Sequence, residues 1–228
     1  MILITDSHTD RRSAPAFFHM LKKLETYQGD IVFLGDIFDL WIALPGYENE
    51  LHRKFLHWCR KEKKKRSVGL LEGNHEFFVA EERKEYFSWC TNAAVRAESG
   101  GILFCHGDRI NRKDKNYLRF RKLTKNSFIK RLLQSIPFGP IIVEKIKSAI
   151  KSRKNRFRKY MPESEIMAFA AQCFTQGKRL IFIGHFHQNG GFVYSPDTEK
   201  KLFLLPDWQS SGKISLYDEN TGKISMIK

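Results

Sequence analysis

Ile31 to Asp39 reads IVFLGDIFD and combines a buried strand with two acidic residues. Its first four residues form a short apolar run, which is typical of a strand covered on both faces in a sheet sandwiched by helices. Asp36 and Asp39 follow at the point where that strand would end. Open α/β sheets bind their ligands at the carboxyl ends of the strands. The stretch therefore predicts an α/β fold with a polar site at a strand end.

Four more short apolar runs in the chain also stop at Asp, Asn or His. They are residues 1–6 (MILITD, continuing to Ser7 and His8), 68–75 (VGLLEGNH), 102–108 (ILFCHGD) and 180–187 (LIFIGHFH). One such stop would be ordinary turn chemistry, but five with metal-binding side chains indicate one shared site. The candidate ligands are Asp6, His8, Asp36, Asn74, His106, His185 and His187. Oxygen and imidazole ligands mixed in this way suit Mn²⁺, Fe or Zn²⁺ better than Ca²⁺ or a thiolate-bound metal.

The order and spacing of these motifs resemble those of the calcineurin-like metallophosphoesterases. The motifs are Asp6-x-His8, Gly35-Asp36-x-x-Asp39, Gly73-Asn74-His75-Glu76, His106-Gly107-Asp108 and Gly184-His185-x-His187. The resemblance spans nearly the whole chain. It implies a four-layer α/β/β/α sandwich and a centre of two divalent metal ions, with Mn²⁺ favoured and Fe or Zn²⁺ as alternatives.

The resemblance also implies a role for each residue of the site. Asp36 would bridge the two metals, since a carboxylate has two oxygens. One metal would be completed by Asp6, His8 and His187, and the other by Asn74, His106 and His185. The metal pair would activate a water and stabilise charge on the attacking and leaving groups. His75 and Asp39 would be the catalytic residues: His75 would donate to the phosphate or the leaving oxygen, and Asp39 would accept from His75 and orient it.

Finer motifs are similar to the UDP-2,3-diacylglucosamine hydrolases of lipid A biosynthesis. They are Gly35-Asp36-Ile37-Phe38-Asp39-Leu40-Trp41-Ile42, Leu51-His52-Arg53, Asp114, Tyr117-x-x-Phe120-Arg121 and Asp207-Trp208. This resemblance implies cleavage of the pyrophosphate of UDP-2,3-diacylglucosamine to UMP and 2,3-diacylglucosamine 1-phosphate. The implied substrate-binding residues are Asn74, Asp114, Tyr117, Arg121 and His185.

Two positions depart from that finer pattern. His75 and Glu76 stand where this family commonly has Arg-Asp, and Leu204-Leu205-Pro206 stands where Leu-Gly would precede Asp-Trp. His75 restores the general phosphoesterase motif, so a different substrate stays open. The alternatives are a nuclease or phosphodiesterase, a phosphomonoesterase, or a binding module without catalysis. The complete ligand set argues against the last of these.

The net charge of +15 is concentrated in one segment. Residues 109–160 contain 18 Lys and Arg against two acidic residues, while the remainder is close to neutral. We expect one metallophosphoesterase domain over residues 1–228, with a helical insertion, or lid, at about residues 111–160. An apolar centre with basic flanks, as in residues 136–150 followed by the run Lys151 to Lys159, is typical of an interfacial or lipid-handling element. We therefore expect a phosphorylated lipid or nucleotide-sugar substrate and an anionic membrane surface as partners, and not nucleic acid.

Other features bear on location and local structure. The chain enters a strand at once, the four cysteines are widely spaced, and no apolar run approaches a membrane span. We therefore expect a cytoplasmic protein without a signal peptide, peripheral to the inner membrane. Ser13 is expected to cap a helix that begins at Ala14. Residues 81–89 are expected to form a short helix, and residues 201–227 a set of strands.

Overall fold

The computed structural model of the chain describes residues 1–137, 139–141, 143, 161–188 and 191–228. Its first sheet has six strands in the order β13-β12-β1-β2-β4-β6. Their bounds are β1 Ile2–Ile4, β2 Ile31–Phe33, β4 Val68–Leu71, β6 Trp89–Thr91, β12 Ile214–Asp218 and β13 Lys223–Ile227. The four strands from β1 to β6 run parallel, while β12 pairs antiparallel with β1.

A second sheet has five strands in the order β10-β11-β9-β8-β7. Their bounds are β7 Val95–Ala97, β8 Ile102–Cys105, β9 Leu180–Ile183, β10 Phe192–Tyr194 and β11 Lys201–Leu204. β8, β9 and β11 are parallel to one another. A separate small sheet pairs β3 (Trp41–Ile42) with β5 (Glu76–Phe77).

Helices cover the outer faces of the two large sheets. The helices are α1 Ala14–Leu24, α2 Glu50–Glu62, α3 Val79–Glu82, α4 Lys115–Thr124, α5 Ser127–Ser135, α6 Glu163–Thr175 and α7 Trp208–Ser211. The apolar faces of α1 and α2 pack on one side of the first sheet, around Phe17, Phe33 and Phe55. Helix α6 packs on the second sheet through Ile166 and Ala170.

The layer between the sheets is a third apolar core. Leu3, Val32 and Leu71 of the first sheet meet Phe104 and Phe182 of the second. Each central strand therefore buries both faces, which explains its nearly continuous apolar sequence. The predicted four-layer α/β/β/α sandwich is confirmed.

One local prediction was confirmed in part, and another was wrong. Ser13 stands at the N-terminal boundary of α1, but its side chain makes no capping bond. Instead its hydroxyl accepts the N–H of Asp10 at 3.0 Å. The predicted helix over residues 81–89 is divided into α3, a 3₁₀ turn at Lys84–Tyr86, and β6, which starts at Trp89. Trp89 belongs to a strand because it pairs with Gly69 of β4. Its indole ring fills the space that a side chain at position 69 would occupy.

The first part of the predicted insertion is helical, as α4 and α5. Residues 138, 142 and 144–160 lie outside the described residues, and with them most of the predicted apolar centre and the basic run Lys151 to Lys159. The extent of the lid and the single-domain assignment therefore stay predictions. Among the described helices, none has the length and apolarity needed to cross a membrane.

Candidate metal centre

The carboxyl ends of strands from both large sheets meet at one edge of the sandwich. Asp6 and His8 follow β1, Asp36 follows β2, and Asn74 follows β4, all in the first sheet. His106 follows β8, and His185 and His187 follow β9, in the second sheet. All seven predicted ligands therefore lie at the edge where the two sheets converge.

Ligand atoms of these residues form three overlapping groups. The groups are Asp6-Asp36-His106-His185, Asp6-His8-His187 and His8-Asp36-His75, each with its ligand atoms within 4.8 Å of one another. Nε2 of His106 lies 3.5 Å from Oδ2 of Asp36. Nε2 of His187 lies 3.5 Å from Oδ1 of Asp6. Nε2 of His8 is close to both carboxylates, 3.8 Å from Asp6 and 3.6 Å from Asp36.

Asn74 contributes an amide oxygen to the same cluster. Its Oδ1 lies 3.1 Å from Nε2 of His106. The structure thus brings together all seven residues that the sequence nominated, and His75 with them. Their roles as ligands stay predictions.

The backbone of the cluster is held in an unusual conformation. Five predicted ligands have positive φ angles, namely Asp6 (51°), His8 (39°), Asp36 (55°), His185 (69°) and His187 (50°). Non-glycine residues rarely adopt this region, and such conformations concentrate at functional sites where the surrounding structure enforces them. The conformation turns each side chain out of its strand end toward the common centre.

Glycines allow the strand-end loops to approach one another. A Cβ at Gly73 would overlap Oδ1 of Asp36, and a Cβ at Gly184 would overlap Oγ1 of Thr5. The glycines of the Gly-Asn-His and Gly-His motifs are therefore required by close packing between loops.

Main-chain carbonyls fix the orientation of two histidines. Nδ1 of His106 lies 2.6 Å from the carbonyl oxygen of Leu34, and Nδ1 of His75 contacts the carbonyl oxygen of Asp39. A carbonyl oxygen can only accept, so each Nδ1 carries a proton and each Nε2 is turned toward the cluster. Nε2 of His75 lies 3.9 Å from Oδ2 of Asp36.

The contact of His75 differs in detail from the expectation for Asp39. The main-chain oxygen of Asp39, at the end of the IVFLGDIFD stretch, is the group that accepts from His75. The sequence pattern could not separate the carboxylate of Asp39 from its main-chain carbonyl. A role for the Asp39 carboxylate stays a prediction.

The electrostatics of the cluster favour positive charge. Burial lowers the pKa of His106, but the carboxylates of Asp36 and Asp6 outweigh burial and raise this pKa to about 10. Burial raises the pKa of Asp36, yet the positive charges of His75 and His106 hold it well below its usual value. Burial raises the pKa of Asp6. Positive charge on His106 therefore compensates the buried acids, which is the charge that a bound cation would supply.

A second observation also indicates that these residues fit a metal centre. Oδ1 of Asp6 and Oδ2 of Asp36 are buried and accept no hydrogen bond. Buried carboxylate oxygens normally have donors, and these two face the Nε2 atoms of His187 and His106. Unused carboxylate oxygens opposed by imidazole nitrogens are the donor set that divalent transition metals prefer.

The structure places the predicted substrate-binding residues in different environments. Tyr117 and Arg121 lie side by side on α4, and both donate to Oδ2 of Asp108, through the tyrosine hydroxyl at 2.6 Å and Nε at 2.5 Å. Asp108 follows the His106-Gly107 motif, so these bonds fasten α4 to the cluster. Asp114 is exposed and caps α4 by accepting the N–H of Tyr117 at 2.9 Å. Its expected contact with substrate stays a prediction.

Sequence reasoning gave no role to two further residues at the cluster. The carboxylate of Glu76 is fully buried and accepts main-chain N–H groups of Asp36 (2.8 Å), Ile37 (2.7 Å) and Gly73 (2.8 Å). It therefore joins the loop that carries Asp36 to the loop that carries Asn74. The position of an acid directly after Gly-Asn-His was the available signal.

Lys125, at the end of α4, was the second residue missed. Its Nζ donates to the carbonyl oxygen of Gly73 at 2.5 Å and lies 4.8 Å from the centre of the Phe77 ring. Burial and the nearby Arg121 lower the pKa of Lys125 to about 8. The amine thus connects the insertion directly to the Gly73-Asn74 loop.

A family model completes the identification. The model of the calcineurin-like phosphoesterases matches residues 1–189. The chain belongs to this family. Family membership confirms the predicted class, a metal-dependent hydrolase of phosphoric ester or anhydride bonds. Calcineurin-like phosphoesterases use a dimetal centre.

Similar proteins match along nearly the full chain. The UDP-2,3-diacylglucosamine hydrolase of Stutzerimonas stutzeri (strain A1501) is 25% identical over 242 residues, covering 96% of this chain and 95% of that protein. The protein of the same name from Proteus mirabilis (strain HI4320) is 25% identical over 245 residues, covering 100% of this chain and 98% of its own. A solved archaeal phosphodiesterase has a TM-score of 0.52 at 10% identity, covering 99% of this chain and 97% of its own, which shows the shared fold.

Proposed function

We propose that this phosphoesterase cleaves the pyrophosphate of UDP-2,3-diacylglucosamine, giving UMP and 2,3-diacylglucosamine 1-phosphate. Relatives of this name match the insertion as well as the sandwich. The observation that carries the proposal is the position of α4. One face of this helix binds the cluster through Tyr117, Arg121 and Lys125, and another exposes Phe120 and Leu123.

This arrangement suits a substrate that has a diphosphate next to acyl chains. Nη2 of Arg121 is buried and has no hydrogen-bond acceptor, so the guanidinium keeps an unsatisfied, positively charged donor near the cluster, which favours a phosphate there. Phe120, Leu123 and Phe128 are 60%, 67% and 72% exposed, which is unusual for large apolar side chains on one short stretch. The polar group and the apolar surface are supplied by the same pair of helices.

We assign the metal ligands as the sequence predicted. Asp6, His8 and His187 would hold one divalent ion, and Asn74, His106 and His185 the other, with Asp36 between them and Mn²⁺ as the favoured metal. Bound metals supply Lewis-acid stabilisation and a nucleophilic water. His75 would donate through Nε2 to a phosphoryl or leaving oxygen. The carbonyl of Asp39 accepts from Nδ1, so this donation requires a second proton, on Nε2.

The exposed surface of α4 and α5 also supports contact with an anionic membrane. Arg119, Lys122 and Arg131 are exposed beside the apolar side chains of these helices. Apolar residues flanked by cations bind the interface of anionic lipid bilayers. We propose that the protein works at the cytoplasmic face of the inner membrane. Low-salt cosedimentation with anionic vesicles tests this, and protein that stays in the supernatant would reject it.

Product analysis tests the proposed reaction. Protein loaded with Mn²⁺ is incubated with UDP-2,3-diacylglucosamine, and UMP is measured by mass spectrometry. UMP should form with the unmodified protein and with His57→Ala, which changes an exposed histidine on α2, but not with His8→Ala. Turnover of a generic aryl phosphodiester without any UMP would reject this substrate and retain a phosphoesterase of another substrate class.

A further inference from the structure

Asp207 carries a buried carboxylate at the start of α7, beside the metal cluster. It is 1% exposed. Its Oδ2 accepts the N–H of Ser210 at 2.8 Å and the Ser210 hydroxyl at 2.5 Å, and it lies 3.7 Å from Nδ1 of His187. The carboxylate is therefore held by the first turn of α7 and directed at a predicted ligand.

The start of α7 is fastened to the end of β1. The N–H of Trp208 donates to the carbonyl of Thr5 at 3.0 Å, and the N–H of Gln209 donates to the carbonyl of Asp6 at 3.2 Å. The Trp208 ring packs against Phe17, with ring centroids 5.6 Å apart. Asp207 is thus positioned against both Asp6 and His187, which belong to the same group of candidate ligands.

His187 is the polar partner that faces this carboxylate. Oδ1 of Asp207 is buried and accepts no hydrogen bond, so Ser210 satisfies only part of a buried anion. An ionised carboxylate is costly to bury without a further partner. The ring of His187 faces it through Nδ1, while Nε2 of the same ring faces Oδ1 of Asp6 at 3.5 Å.

We propose that Asp207 is a positioning residue that keeps the proton of His187 on Nδ1 and so leaves Nε2 as the metal ligand. The inference rests on the proposed metal centre. The carbonyls of Leu34 and Asp39 act in the same way on His106 and His75. Carboxylate partners of ligating histidines fix the ring tautomer and increase metal affinity. Only the ion held by Asp6, His8 and His187 should depend on Asp207.

Asp207→Asn is the test variant. Asparagine caps a helix about as well as aspartate, so its amide oxygen should keep the Ser210 bonds of α7. The amide is neutral, so the variant removes the negative charge that favours a proton on Nδ1 of His187. Two readouts apply to metal-free protein. Calorimetric titration with Mn²⁺ should show one of two sites weakened by about 10- to 100-fold. Nitrogen-15 NMR of the His187 ring should show a smaller population of the Nδ1–H tautomer than in the unmodified protein.

The matched control is Asp218→Asn. Asp218 is an exposed turn residue that accepts the N–H of Asn220 at 2.9 Å and the Thr221 hydroxyl at 2.8 Å. The same substitution there should leave both Mn²⁺ sites and the His187 tautomer unchanged.

The outcomes separate this inference from the proposed function. Unmodified protein that binds no Mn²⁺ would reject the metal centre, and with it the inference. Two sites of native affinity and a native tautomer in folded Asp207→Asn would overturn the inference and leave the metal centre intact. If Asp207→Asn does not fold, Ser210→Ala, which removes the anchoring hydroxyl, should weaken the same site by a smaller factor. Unchanged affinity in that variant would also overturn the inference.

Discussion

Glu76→Gln should destabilise the fold although it removes no apolar contact. The Glu76 carboxylate accepts three main-chain N–H groups, two through Oε2 and one through Oε1. A glutamine keeps one oxygen, which can serve Asp36 and Gly73. Its amide N–H₂ group then faces the N–H of Ile37, so neither of these two buried donors has an acceptor.

The cost follows from these contacts. Each buried unsatisfied donor costs about 1–3 kcal/mol. Burial and the negative charge of Asp36 raise the pKa of Glu76 to about 7, and removing that repulsion offsets about 1–4 kcal/mol for an effective ε between 80 and 20. Two unsatisfied donors cost about 2–6 kcal/mol, so the central expectation is a net loss of about 2 kcal/mol of unfolding free energy. This loss corresponds to a decrease of somewhat less than about 1 M in the urea midpoint for a protein of this size.

The assay is urea unfolding of metal-free protein above neutral pH, where Glu76 is ionised. Glu219→Gln, at an exposed position with the same chemical change, is the control and should stay within about 0.5 kcal/mol of the unmodified protein. A Glu76→Gln variant as stable as this control would refute the view that the carboxylate joins the two ligand loops.

Three further predictions concern metal, pH and the insertion. Chelation of the bound metals should lower the thermal midpoint, because saturation at 100 times Kd contributes about 2.7 kcal/mol; an unchanged midpoint would contradict the metal centre. Burial raises the pKa of Glu62, but hydrogen bonds from Lys65 and Arg66 outweigh burial and lower this pKa. The stabilisation that Glu62 contributes is therefore present above its unfolded pKa. It is lost as the pH falls through the lowered pKa of the folded state. The stability difference between native protein and Glu62→Gln, from urea midpoints, should therefore shrink on acidification, and a constant difference would contradict the pairing. Tyr117→Phe removes one donor to Asp108 and should cost about 1 kcal/mol of unfolding free energy in the same assay, whereas no loss would place the hydroxyl in solvent.

The strand ends that carry the site were predictable because their signal is local. Each of β1, β2, β4, β8 and β9 is a short apolar run that stops at an Asp, Asn or His, and the structure places each strand within a residue or two of its run. The order of the motifs then indicated the family before any contact was known.

Features that depend on distant partners could not be predicted in this way. Trp41–Ile42 and Glu76–Phe77 form strands of two residues, too short for any periodicity. Glu76 is a charged residue in a buried strand because its acceptor oxygens are satisfied by N–H groups about 40 residues earlier. The contact of Lys125 with Gly73 likewise joins residues 52 apart in sequence.

The pairing of β1 with β12 determines when this centre can be completed during synthesis. Ile2 pairs with Leu216, so one edge of the strand that leads to Asp6 lacks its neighbour until residues more than 200 positions later have been synthesised. Contacts this distant form late and slow folding. An open strand edge also invites association with other chains. The strand that leads to Asp6 is therefore open to association with other chains until β12 has been made.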